Sequence, residues 1–178
     1  MRIVAGRWAG RDLVSPSGRI RPTAEAVRIA CMEAVAAELT GARVLDLFAG
    51  TGALGLEALS RGADRCDFVE NHPATLHALK ANVATLRLKA RTRIFKRDAI
   101  PFVERLERDA YDVAFADPPY GSRKLDRVLA RWLERPFSRV LVLEHAADHD
   151  IALAGRRTRI RQTSRRLEDT LVTVLRLP

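Results

Sequence analysis

Residues 43–61 read RVLDLFAGTGALGLEALSR, and this stretch decides the fold. Arg43 to Phe48 is short, apolar and bounded by a turn signal, which predicts a buried strand. Ala49-Gly-Thr-Gly52 predicts a tight turn, and Ala53 to about Arg61 predicts a helix. Strand, glycine turn and helix in this order open a βαβ unit. Glycine lets the backbone bend and lets a ligand approach where a Cβ would clash. The helix that follows aims its free N–H groups at that ligand.

The same alternation continues outward. Further strands are predicted at 65–70 (RCDFVE), 91–96 (RTRIFK), 111–116 (YDVAFA) and 139–144 (RVLVLE). Helices are predicted between them, from Pro73 to about Leu86, from about Ile100 to Arg108 and from about Ser122 to Glu134. Such units are right-handed and build a mostly parallel sheet covered on both faces. After Asp150 the pattern changes to two strands, Thr158 to about Thr163 and Asp169 to Leu177, close enough to form an antiparallel hairpin. Residues 1–20, with Gly6, Gly10, Pro16 and Gly18 among short apolar runs, read as a small β-hairpin. A helix from about Thr23 to Leu39 follows, with Thr23 as its N-cap. The expectation is a Rossmann-like α/β fold with a seven-stranded sheet. It forms one domain over 1–178, made of an extension (1–20) and a core (21–178).

Length and composition fit that reading. A chain of 178 residues, 47% hydrophobic and 30% charged, can bury a sizeable core without disulfides or metal. No uncharged apolar run approaches the ~18 residues a membrane helix needs, and MRIVAGRWAGRDLV lacks the apolar segment of a secretory signal. Cys31 and Cys66 are far apart and outside any CxxC, a pattern of neither disulfides nor zinc, which fits a reducing cytoplasm. The net charge is +9 with a pI near 10.6, so a polyanionic partner is expected, nucleic acid first. The arginines cluster: six lie in residues 1–28 and six in residues 156–166. Arg2, Arg7 and Arg11, with Trp8 beside Arg7, suit phosphate contacts and base stacking.

Two motifs carry chemistry. Glu70 ends the second strand 20 residues after Gly50, where an acid accepts from ribose hydroxyls. The run GTGALG also satisfies a dinucleotide fingerprint. Asp46 tilts the choice, because a carboxylate four residues before Gly50 repels pyrophosphate and favours a cation such as the ammonium of S-adenosylmethionine. Asp117-Pro118-Pro119-Tyr120 then sits at the carboxyl edge of the sheet. Two prolines stiffen the turn and remove two donors, leaving the Asp117 carboxylate and the Pro118 carbonyl as fixed acceptors. They match the two N–H groups of an exocyclic amine on a nucleobase, and Tyr120 offers a stacking face.

DLFAGTG at 46–52, Glu70, Asp98 after the third strand and DPPY together resemble a class I S-adenosylmethionine-dependent methyltransferase of the amino-modifying kind. More closely, the chain resembles the RsmD family, bacterial 16S ribosomal RNA guanine-N2 methyltransferases. Residues 1–13 are similar to its N-terminal hairpin, Arg21-Pro22-Thr23 with Val27-Arg28 to its R-P-T-x-x-x-V-R segment, and 45–61 to its cofactor loop and helix. The resemblance implies that Asp46, Phe48, Gly50 and Gly52 hold the methionine end of the cofactor. Glu70 is implied at the ribose, and Asn71, Asp98 and Ala99 at the adenine. It places Arg21, Thr23 and Arg28 with the RNA-binding arginines, and Asp117, Pro118, Pro119 and Tyr120 at the reacting base.

The implied reaction is direct in-line methylation of a guanine N2 amine in small-subunit RNA, within a partly assembled particle, by a cytoplasmic monomer without metal or membrane attachment. Cytosine C5 chemistry is disfavoured, since neither Cys31 nor Cys66 lies near a candidate loop. A helix cap is the competing role for Asp98. His145 and His149 read as surface residues. An amino methyltransferase of DNA or another RNA, a nicotinamide-binding protein and a non-catalytic RNA-binding module remain as alternatives.

Overall fold

The structure, a computed structural model, describes residues 1–16, 22–151, 153 and 160–178, with side chains described from residue 25 onward in the first helix. Seven strands form one sheet: β1 (Arg43–Leu47), β2 (Arg65–Val69), β3 (Thr92–Phe95), β4 (Tyr111–Ala116), β5 (Ser138–Ala146), β6 (Arg161–Leu167) and β7 (Thr170–Arg176). Their order is β3-β2-β1-β4-β5-β7-β6. β1 to β5 run parallel, and β7 is antiparallel to both β5 and β6.

The helices are α1 (Pro22–Ala34), α2 (Ala36–Leu39), α3 (Ala53–Ser60), α4 (Pro73–Thr85), α5 (Ala99–Glu104) and α6 (Lys124–Glu134). Leading from β1 to β2 and β3, the right-handed crossovers put α3 and α4 on one face. Leading back to β4 and β5, they put α5 and α6 on the other. The first face buries Val44, Phe68, Phe115, Val142 and Val174 under Val27, Leu56 and Leu79. The second buries Leu45, Leu47, Leu141 and Leu175 with Ile100, Val128 and Trp132. Trp132 satisfies its indole N–H on the Ser138 carbonyl at 2.9 Å.

The ends depart from the expected boundaries. The first helix begins at Pro22, so Thr23 lies inside it, and it breaks before α2. β6 begins at Arg161 and runs on to Leu167. The front segment is closed by one antiparallel bridge, Arg2 with Asp12. Its Ile3 and Leu13 are buried in the first-face core.

That segment is fastened by α3. The buried Glu57 carboxylate accepts from Val4 N–H (2.8 Å) and Ala5 N–H (3.0 Å). Ser60 takes the Trp8 N–H on Oγ (3.0 Å) and the Arg7 N–H on its carbonyl (2.8 Å). Gly6 makes this approach possible. It has φ +84°, and a Cβ there would lie 2.0 Å from the Ser60 carbonyl oxygen.

Candidate active site

A cleft of about 840 Å³ opens at the carboxyl ends of β1, β2, β4 and β5, where the strand order reverses direction. Ligands of open α/β sheets bind at such a switch point. Phe48, Glu70, Asn71, Asp98 and Ala99 line one side, and Asp117, Pro118, Pro119, Tyr120, Glu144 and Thr170 the other.

The glycine loop is held from below and from the side. Asp46, buried in β1, accepts the Gly55 N–H of α3's first turn at 2.9 Å. Burial and the charge of Glu70 push its carboxyl up to about 7, against that hydrogen bond. Asp46 thus lies under the loop and fixes its shape. Gly52 caps α3 with φ +83°, and a Cβ there would meet Leu79 Cδ1 at 2.4 Å. Gly50 donates its N–H to Glu70 at 2.6 Å. The other Glu70 oxygen accepts from Asn71 N–H (2.8 Å) and His72 N–H (2.7 Å), so the carboxylate is pre-aimed at the cleft it lines. Phe48 turns the chain in with φ 59°.

Asp98 serves as the cap of α5, accepting from Ile100 N–H at 2.9 Å, and it lines the cleft as well. That bond and the Lys124 ammonium, 3.3 Å away, hold its carboxyl below the usual range. The same Lys124 nitrogen sits 5.6 Å above the Phe48 ring. Sequence reading assigned Lys124 nothing, because only the fold brings α6 to the loop after β1.

The DPPY turn is unlike the rest of the cleft. The Pro119 carbonyl is used by Ser122, which donates from N (3.2 Å) and Oγ (2.7 Å). Among the described residues nothing donates to the Asp117 carboxylate or the Pro118 carbonyl. Burial, then Glu144 and Asp46, push the Asp117 carboxyl up to about 8. Tyr120 is 50% exposed, and its hydroxyl lies 2.9 Å from Thr170 Oγ1 and 3.3 Å from Glu144 Oε1.

A protein-family model described as "Conserved hypothetical protein 95" matches residues 1–170. The ribosomal RNA small subunit methyltransferase D of Escherichia coli is 36% identical over 130 residues, which span 72% of this chain and 65% of that protein, just under two thirds of its length. A Thermus thermophilus hypothetical protein, TTHA0928, superposes with TM-score 0.79 at 27% identity over 99% of both chains. The chain belongs to this family. It is the RsmD family of the resemblance. The fold extends further, to the T. thermophilus 16S rRNA N2 G1207 methyltransferase RsmC, solved with AdoMet and guanosine, at TM-score 0.71 and 21% identity over 91% of this chain and 44% of that one.

Within this RsmD-family chain, the residues expected to bind RNA divide. Arg2, Arg7 and Arg11 are exposed, with Arg7 stacked 5.4 Å above a half-buried Trp8. Arg28 is a correction. It is buried, with Nε 3.6 Å from Glu57 and Nη2 donating to the Arg2 carbonyl at 2.7 Å. A guanidinium enclosed with a buried acid is a structural ion pair and presents nothing to a phosphate. Arg21 and the side chain of Thr23 lie outside the described residues, as do Arg156, Arg157 and Arg159. Arg161, Arg165 and Arg166 are exposed on β6, and Arg165 pairs with Glu33 at 2.6 Å.

His145 corrects the surface reading too: it is buried and bonded to Thr173 Oγ1 at 2.9 Å. Cys31 and Cys66 are both buried, and burial raises both thiols. Glu144, Thr170 and Asn82 went unassigned in the sequence. Asn82 joins the front segment to the glycine loop, donating to the carbonyls of Val14 (3.1 Å) and Thr51 (3.0 Å). The signal for Glu144 was present, an acid at a strand's carboxyl end like Glu70.

Proposed function

We propose that this chain methylates the exocyclic N2 amine of a guanine in small-subunit ribosomal RNA. One observation carries the reading. On the DPPY turn, two residues that line the cleft, Asp117 and Pro118, carry acceptors, a carboxylate and a carbonyl, that receive no donor among the described residues. An aromatic amine brings two N–H donors. Pinning both turns the nitrogen lone pair out of conjugation and along a defined direction, so positioning supplies much of the acceleration. The ribosomal RNA target is supported by the name of the E. coli relative and by the exposed arginines.

The donor set fits the cofactor. Buried Asp46, with Glu70, Asp98, Asp117 and Glu144 on the walls, makes a cleft that favours a cation and disfavours a pyrophosphate. When bound, S-adenosylmethionine supplies a methyl on a positive sulfur and departs as a neutral thioether. On this reading Glu70 accepts from the ribose hydroxyls, while Asn71, Asp98 and Ala99 border the adenine. Asp46 keeps the loop in shape under the methionine end, beside Phe48. The proton released from the amine goes to Asp117 or to water. The chain works as one catalytic domain, with its front segment and β6 gripping RNA phosphates, on a partly assembled subunit.

The test is transfer of labelled methyl to small-subunit particles lacking their methylations, with the modified nucleotide mapped by mass spectrometry. N2-methylguanine at one position is expected. Label on another base or atom, or none in RNA, overturns the proposal.

A further inference from the structure

Glu144 is the carboxylate of the cleft that no motif claims. Ala116 of β4 pairs with Leu143 of β5, so the next residues, Asp117 and Glu144, stand side by side on adjacent parallel strands. Alternation puts both on the face of Phe115 and Val142, and both line the cleft. Against these two acceptors the described residues offer one donor, the Tyr120 hydroxyl at 3.3 Å from Glu144 Oε1. Thr170 Oγ1, 2.9 Å from the same hydroxyl, completes a chain that orients it: Thr170 donates to Tyr120, and Tyr120 donates to Glu144. Burial raises the carboxyl of Glu144 as well as that of Asp117, as expected where acceptors outnumber donors.

The ligand that balances such a pair has donors on neighbouring atoms. Guanine alone among the four bases has them, with N1–H beside the N2 amine. Adenine and cytosine place a ring lone pair next to their amine, and uracil has no amine. We propose that Glu144 is the residue that selects guanine, accepting the N1–H while Asp117 and the Pro118 carbonyl hold the amine. The inference rests on the guanine-N2 reading and deepens it. A base with a ring acceptor at that position sets lone pair against carboxylate and leaves both without a donor. Sites built on a hydrogen bond reject the analogue that lacks it far more strongly than an apolar pocket rejects a missing methylene.

The test uses small-subunit particles in which the mapped guanine is replaced by 2,6-diaminopurine. This base keeps the 2-amino group and carries a ring acceptor at N1. The wild-type protein is expected to methylate guanine about 100-fold better in kcat/KM than diaminopurine. In Glu144→Gln the amide can turn its NH2 to the ring acceptor, and the ratio is expected to fall below about tenfold. Equal wild-type rates on the two bases overturn the assignment, and this arm needs no variant to fold. A ratio that Glu144→Gln leaves unchanged also overturns it. In both cases N2 transfer to guanine still stands, whereas absence of that transfer in the wild type condemns the underlying reading instead.

Discussion

The cleft and the outer surface carry opposite charge. In a chain of net +9, the cleft wall sets Glu70, Asp98, Asp117 and Glu144 against Arg97 and Lys124. The front segment and β6 present Arg2, Arg7, Arg11, Arg161, Arg165 and Arg166 outside it. Bulk composition pointed to a polyanion and the motifs pointed to a cationic cofactor. The two readings do not conflict, because the charges are sorted by place, with arginines outside the cleft and acids on its wall.

The largest effect should come from the acid that mounts the outer region. Glu57→Ala leaves Arg28 as a buried charge without its partner and strips two backbone N–H groups of their acceptor. Breaking a buried pair from one side costs about 3–5 kcal/mol, so denaturant unfolding should show most of the protein's stability lost, and protease should cut first in residues 1–16. A variant as stable as the wild type would break the claim that the front segment is built in.

Next comes Asp117→Ala, which should lower methyl transfer to RNA by about 10²–10³, the scale for removing one positioned polar contact at a reacting centre. RNA affinity by filter binding should stay within a few-fold, since the grip lies elsewhere. Parallel loss of both would erase the division between the regions.

A smaller effect reads the cleft's charge directly. The Asp117 carboxyl sits near 8 in the fold, above its unfolded value. Its ionisation therefore removes stability as pH rises from about 4 through 8, and Asp117→Asn is free of that loss. The melting temperature of Asp117→Asn relative to the wild type should rise with pH from about 4 to 8 and level off above, by several degrees in all. A constant difference across pH would mean that Asp117 is not desolvated.

The smallest effects belong to single arginines. Arg7→Ala and Arg166→Ala should each reduce the salt slope of RNA binding by about 1, with cofactor affinity unchanged. Arg28→Met should leave that slope alone.

Much of this division was legible in the sequence. Strand, glycine turn and helix at 43–61 placed the loop, and DPPY after an apolar strand placed the acceptors. What escaped depends on neighbours far apart in the chain. Arg28 looks like any arginine until Glu57 is packed over it. His145 looks exposed until β7 pairs with β5 and brings Thr173 to its ring. Glu144 and Thr170 gain meaning only because β4, β5 and β7 are adjacent. β6 was placed three residues early because every residue from Arg161 to Arg166 is exposed, so the strand has no apolar face to read.

The bond between Tyr120 and Thr170 ties the cleft to distant parts of the chain. Residues 46–98 supply the glycine loop, Glu70 and Asp98, whereas Thr170 lies 50 residues beyond Tyr120 and reaches it because β7 folds back on β5. The wall that carries the DPPY turn therefore closes a longer loop of chain than the wall that carries Glu70, and its geometry answers to the antiparallel end of the sheet as well as to the parallel one.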